Sequence, residues 1–242
     1  MHMESLYVYN RVLLKLSGES LKGDSESGYD SEAVNDLVNR IGAVCDKGIE
    51  MGIVIGGGNI WRGVKGVSSG MDRVTADYMG MLGTVMNAIC LRDAFNSAGF
   101  IAEVQTSIPM SPIASPFDRE KAVKSLGEGR IVIFAGGTGS PFFTTDTTAA
   151  LRALEIGAEA LLKATKVDGV YTDDPHKNPN AKRYETISYD DALSQQLKIM
   201  DSTAFSMCRD NGLPIIVFNF SEPESLERVL HGDTSIATVV GE

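Results

Sequence analysis

Gly136-Gly137-Thr138-Gly139-Ser140-Pro141-Phe142-Phe143-Thr144-Thr145-Asp146 follows the apolar run Ile131-Val132-Ile133-Phe134 and leads into a helical pattern near Asp146. Strand, glycine-rich turn, helix start is an order that builds an anion cradle. Backbone N–H groups converge at the turn, and the helix dipole favours negative charge there. The same grammar recurs twice. Val12-Leu13-Leu14-Lys15-Leu16 runs into Ser17-Gly18-Glu19-Ser20, and Gly52-Ile53-Val54-Ile55 runs into Gly56-Gly57-Gly58-Asn59. One such turn is weak evidence; three in a chain of 242 residues point to a ligand, or a pair of ligands, carrying several phosphates.

Outward from these turns, strands are predicted over residues 11–16, 51–55, 100–104, 130–134, 160–164 and 214–219. They are short and apolar throughout, the pattern of strands buried on both faces of a parallel sheet. Helical patterns lie between them. Ser31 is the expected N-cap of a helix over 32–47 with Gly48 as its stop; the others span 72–97, 118–126, 146–156, 190–198 and 202–210. Residues 167–172 read as a turn or short hairpin, and the Asp-, Asn- and Pro-rich stretch 173–182 as a loop. The pattern is α/β: a three-layer α/β/α sandwich with a mainly parallel central sheet, read as a single domain over residues 1–242.

With 22 basic against 32 acidic residues the net charge is −10. No basic tail or stripe is present, so no nucleic-acid partner is expected. In so acidic a chain Lys15 and Arg62, both beside glycine turns, stand out as phosphate ligands. Cys45, Cys90 and Cys208 show no CxxC spacing, and buried free thiols are expected. There is no signal-peptide pattern and no apolar run long enough to span a bilayer, so a cytoplasmic protein without membrane contact is expected.

The common nucleotide motifs fail. GxxxxGK[ST] is absent, and in the Rossmann frame opened by Gly56 and Gly58 the third glycine position is Trp61. None of the three histidines, His2, His176 and His231, lies beside a glycine turn. Phosphoryl transfer to an alcohol ordinarily uses a general base. An acceptor that is already anionic needs none, and a phosphate monoester has its second pKa at about 6. The chemistry therefore points to a phosphate, carboxylate or carbamate acceptor, with repulsion between two anions relieved by cations and helix N-termini.

Leu13-Leu14-Lys15-Leu16-Ser17-Gly18-Glu19 and Val54-Ile55-Gly56-Gly57-Gly58-Asn59 resemble the amino-acid kinase superfamily. Within it, Asn59-Ile60-Trp61-Arg62-Gly63, Met71-Asp72-Arg73-Val74 with Asp77, the Gly139-to-Asp146 run and residues 162–171 are similar to the bacterial UMP kinases. That resemblance implies transfer from ATP to UMP, with Mg2+ arriving on ATP rather than in a protein metal cage, in a cytoplasmic homohexamer. It implies that Lys15, Arg62, Asp146 and Lys163 carry catalysis. For UMP it implies Gly57, Asp77 (on the ribose hydroxyls), Thr138, Gly139, Ser140, Pro141, Phe142, Phe143, Thr144 and Thr145, the two aromatics walling the pocket. For ATP it implies Lys15, Leu16, Ser17, Gly18, Gly58, Arg62, Thr165, Tyr171 and Asp174. The N-terminal part would hold mainly UMP and the C-terminal part mainly ATP. Asp146 can N-cap the following helix or orient the lysines, and Asp168 beside Gly169 shapes a turn.

The apolar side chains of residues 71–95 offer one face to the sheet and, by the resemblance, a second face to a neighbouring subunit. UTP is expected to inhibit, as a triphosphate of the same base. By the same resemblance GTP is a candidate effector, and whether it activates stays open, because Asn96, Glu103, Arg119 and Glu26 depart from the lining of GTP-responsive members. Two alternatives remain at this point. One is a kinase of the same superfamily acting on glutamate, aspartate, acetylglutamate or carbamate; the other is a nucleotide sensor or oxyanion-storage protein that has lost transfer.

Overall fold

The apolar runs become strands of one sheet in a computed structural model that describes residues 7–62, 70–175 and 177–242. His2, Gly63 and His176 lie outside the described residues. In chain order the strands are β1 (Arg11–Leu16), β2 (Glu50–Ile55), β3 (Ala102–Thr106), β4 (Ser115–Pro116), β5 (Ile131–Ala135), β6 (Ala160–Thr165), β7 (Thr186–Ser188), β8 (Ile215–Asn219) and β9 (Ala237–Gly241). Their order across the sheet is β4-β3-β5-β2-β1-β6-β8-β9-β7, and every pairing is parallel except β8 with β9. The chain leaves β1 toward β2 on one side and later returns to β6 on the other. That makes the C-terminal ends of β1, β2, β5 and β6 a topological switch point, where open α/β sheets bind ligands.

The helices are α1 (Ser31–Cys45), α2 (Arg73–Ser97), α3 (Arg119–Gly127), α4 (Thr145–Ile156), α5 (Tyr189–Ser194), α6 (Ser202–Asp210) and α7 (Ser225–Leu230). Asp72, Asp118 and Asp201 cap α2, α3 and α6 through their carboxylates. Most predicted boundaries shift by a residue or two, α1 for instance ending at Cys45 rather than at 47, and three shifts have a clear physical reason. Ser31 is inside α1, because the extended Asp30 reaches the Ala33 N–H at 2.8 Å and caps the helix itself. The predicted strand over 100–104 begins at Ala102. Phe100 instead closes the end of α2, its N–H bonded to Phe95 O, with its ring so close to Gly42 that a Cβ there would lie 2.1 Å from it. The stretch 190–198 is helical only to Ser194, because Gln196 turns left-handed at φ 55.

Two apolar cores cover the two faces of the sheet. Val12, Leu14 and Leu16 join α1, α2 and α7 on one side, and Leu13 and Leu161 join α3, α4 and α6 on the other. Side chains alternate along a strand. Lys15, two residues after Leu13, and Lys163, two after Leu161, therefore face the α4 layer together. By length and composition α2 could cross a bilayer, yet Ala76, Met81, Val85, Ala88, Leu91 and Phe95 along it are buried in the protein. Each cysteine lies in a helix, but only Cys208 is fully buried; Cys45 and Cys90 are half-buried. Burial pushes the Cys208 thiol up to about 12, which keeps it an inert thiol at neutral pH.

Candidate active site

Lys15 and Lys163 are direct partners in the parallel pairing of β1 and β6. Two ammonium groups so placed repel each other, and Asp146 lies between them. Its Oδ1 is 2.8 Å from Lys15 Nζ and its Oδ2 is 2.7 Å from Lys163 Nζ. Burial alone would raise the Asp146 pKa, but the two lysines outweigh burial and hold it below the ordinary carboxylate value. The Lys163 pKa is lowered as well, but here burial wins. Burial lowers its pKa and Lys15 adds to that, while Asp146 offsets only part. Lys163 Nζ also donates to Ile199 O at 2.5 Å.

Asp146 does not cap α4. Thr144 does, its hydroxyl accepting from the N–H groups of Asp146 and Thr147 at 3.0 and 3.2 Å. Asp146 thus sits in the first turn with its carboxylate free to gather the lysines. Asp201, which the sequence reading passed over, fixes this helix end. Its Oδ2 accepts from Thr144 Oγ1 at 2.5 Å and Thr147 Oγ1 at 3.0 Å, while its Oδ1 caps α6. The capping half of that role was visible, since an aspartate precedes the helical pattern at 202; the tie to Thr144 crosses 57 residues and has no local signal.

A cavity of about 710 Å³ opens beside this cluster. Of the residues assigned to UMP, Gly57, Asp77, Thr138, Ser140, Phe143, Thr144 and Thr145 line it, joined by Gly58, Trp61, Arg73 and Met81. Phe142 does not wall it. The residue is 65% exposed, and its backbone takes φ 70, unusual for a non-glycine residue. The Phe142 N–H donates to Asp77 Oδ2 at 2.8 Å, and Arg73 Nε lies 2.9 Å from both Asp77 oxygens. Asp77 therefore orients the turn as well as facing the cavity. Arg73, four residues earlier on the same helix, was a legible partner that the sequence reading left out.

The other glycine turns split their roles. Gly57 is spent on packing: a Cβ there would lie 2.7 Å from Gly80 O on α2. Gly58 keeps an open approach: a Cβ there would meet only Glu19 Oε1, at 3.7 Å. Arg62 pairs with Glu19 in this structure. Burial would raise the Glu19 pKa, but Arg62, Lys22 and Lys166 hold it low. Asn59 and Asn87 exchange amide hydrogen bonds, and Asn87 also donates to Gly56 O at 2.7 Å, locking the triplet onto α2. A Cβ at Gly18 would lie 2.4 Å from both Asn59 Oδ1 and Gly56 O. Gly18→Ala is accordingly expected to destabilise by about 2–3 kcal/mol, seen as a Tm drop of about 5–10 °C in a thermal melt; an unchanged Tm would mean the two turns do not meet this closely.

On the C-terminal side Thr165 shapes its own turn, accepting from Val167 N at 3.1 Å. The Tyr171 hydroxyl donates to Asp168 Oδ1 at 2.6 Å, and Asp174 pairs with Lys177 at 3.2 Å. Among the described residues no three His, Cys, Asp or Glu side chains converge as a metal site.

A parallel sheet with a lysine pair at its switch point, glycine turns on three strand ends and a helix N-terminus beside them define a phosphate-handling α/β protein. More specifically, the model of the amino acid kinase family matches residues 10–219, and the chain belongs to that family. Among solved structures it is similar to a UMP kinase from Bacillus anthracis, at 42% identity over 96% of each chain and a TM-score of 0.93. A UMP kinase from Ureaplasma parvum matches at 38% identity over 96% of this chain and 99% of that one, with a TM-score of 0.91. A uridylate kinase from Archaeoglobus fulgidus matches at 26% identity over 95% and 99%, with a TM-score of 0.73.

Proposed function

We propose that this chain transfers the γ-phosphoryl group of ATP to UMP, giving UDP and ADP, in pyrimidine nucleotide biosynthesis. The observation that carries this reading is the cavity holding Asp77 and the 138–145 turn, which runs at Thr144 and Thr145 directly into Asp146 and its two lysines. The 42% identity with a UMP kinase over 96% of both chains supports it. In this reading UMP occupies the N-terminal side of a single domain. ATP lies over the C-terminal side, against Leu16, Ser17, Gly18, Gly58, Thr165, Tyr171 and Asp174.

A phosphate oxygen of UMP attacks the γ-phosphorus, the bond to the bridging oxygen of ADP breaks, and ADP leaves with the electron pair. No proton is abstracted, because the acceptor is already ionised. Lys15 and Lys163 meet the charge that grows on the transferring oxygens, and the N-terminus of α4 adds its positive end. Arg62 exchanges Glu19 for phosphate oxygens, which its planar fork can bind in pairs. Mg2+ enters as part of the MgATP substrate.

A coupled ADP-release assay across UMP, CMP, dUMP and amino acids tests the reading. UMP-dependent release is expected; release only with an amino acid would make the chain another kinase of its family, and no release would make it a binding protein. Asp77→Asn is expected to raise the KM for UMP about tenfold or more, with the KM for ATP nearly unchanged. A rise confined to ATP would reverse the two pockets.

Self-association into a homohexamer belongs to the same proposal. Tyr78, Leu82 and Met86 stand exposed at four-residue spacing along α2, a stripe suited to a second copy. UTP inhibition through the UMP pocket, an allosteric GTP response of either sign and a cytoplasmic location complete it.

A further inference from the structure

Arg152 is a buried cation that takes no part in the chemistry described above. It lies on α4 with only 5% of its surface exposed, its guanidinium 3.6 Å from the centre of the Phe117 ring. One arm pairs with Glu155; the other, Nη2, donates to Ser107 Oγ at 2.8 Å. Ser107 Oγ in turn donates to Gly137 O at 2.7 Å. A serine hydroxyl has a single hydrogen, and a guanidinium can only donate. With Arg152 filling a lone pair of Ser107, the hydroxyl hydrogen is directed onto Gly137.

The turn that receives it needs such an anchor. Gly136, Gly137 and Gly139 all adopt left-handed φ values of 76, 58 and 82, and three glycines in a row of four residues leave the free chain much conformational freedom. The turn leans on the β3 exit at two further points: a Cβ on Gly136 would lie 2.7 Å from Thr106 Oγ1, and one on Gly139 would lie 3.2 Å from Ser107 O. From α2, Thr84 Oγ1 accepts the Gly136 N–H at 2.9 Å. Gly137, Thr138 and Ser140 then line the cavity.

We propose that Arg152 and Ser107 form a positioning relay that sets the Gly136–Gly139 turn, and through it the affinity of the cavity for the acceptor nucleotide. This rests on the reading of the cavity as the UMP site. Ser107→Ala removes one hydroxyl and is expected to raise the KM for UMP about five- to tenfold, with kcat and the KM for ATP nearly unchanged and a lower Tm, because Nη2 of the buried Arg152 loses its acceptor. Arg152→Met should give the same rise in KM together with a lower Tm, and the double variant should be no worse in KM than either single one. Independently of any substrate, amide hydrogen exchange of the 136–143 segment in the free Ser107→Ala protein should speed up. A KM for UMP within twofold of wild type, effects that multiply in the double variant, or unchanged exchange would overturn the relay. If Arg152→Met does not fold, Ser107→Ala decides alone. Failure of the substrate reading looks different: wild type itself would release no UMP-dependent ADP, and the exchange measurement would still decide whether the relay holds the turn.

Discussion

Lys15→Ala should lower kcat for UMP phosphorylation by about a thousandfold while the protein stays folded. A preorganised donor aimed at charge that develops in the transition state is worth about 10²–10³ in rate. Lys15 is in that position by construction of the sheet: it shares a strand face with Leu13, pairs in register with Lys163, and is held 2.8 Å from Asp146. Folding should survive because Asp146 keeps Lys163 at 2.7 Å and the strand ladder uses only the backbone of residue 15. The measurement is ADP release at saturating UMP and ATP, beside a thermal melt. Turnover within tenfold of wild type, in a protein of normal Tm, would remove Lys15 from the transfer step. Lys163→Ala makes a useful contrast. Lys163 also donates to Ile199 O and carries a pKa lowered by burial, so its loss should disturb the loop before α6 as well as the chemistry.

What the sequence made legible follows from how local each signal is. The span of β1 and the strand-turn-helix order at Asp146 depend on neighbouring residues, and these match. The capping aspartates before α2, α3 and α6 are equally local. β4 and β7 are two and three residues long, too short to announce themselves, and in β9 Thr238 interrupts the apolar run by which most of the other strands are recognised. The site was legible as a set of residue types and illegible as a set of contacts. Nothing near Lys15 or Lys163 says that β1 and β6 pair with those two residues opposite each other, 148 positions apart. The same holds for Asp201 on Thr144, Ser107 on Gly137 and the Asn59–Asn87 exchange, which join segments separated by 28 to 57 residues. Gly57 is a subtler case: its backbone lines the cavity, but the space a side chain would fill is taken by helix α2, so packing as well as a ligand requires glycine there.

Asp146→Asn is the variant with the largest combined effect, because one carboxylate serves both stability and chemistry. The substitution keeps the shape but leaves Lys15 and Lys163 facing each other without a counter-charge. Breaking a buried ionic cluster in this way costs about 3 kcal/mol or more at neutral pH, a Tm loss of about 6–12 °C. The pH dependence has a definite sign. The Asp146 pKa is held below its unfolded value of about 3.9. Its stabilising contribution is therefore fully present above that value and fades as pH falls through the lower, folded one. The gap between wild type and Asp146→Asn should be wide from pH 5 to 7 and close in more acidic solution, where wild-type Asp146 is itself protonated. Urea melts across that range measure it; a gap that stays constant down to the acid limit would mean the carboxylate charge is not what holds the lysines. Turnover should fall by about a hundredfold or more, since both ammonium groups lose the group that aims them. Lys163 would also lose the charge that does most to raise its pKa, so the alkaline limb of the residual activity should shift to lower pH.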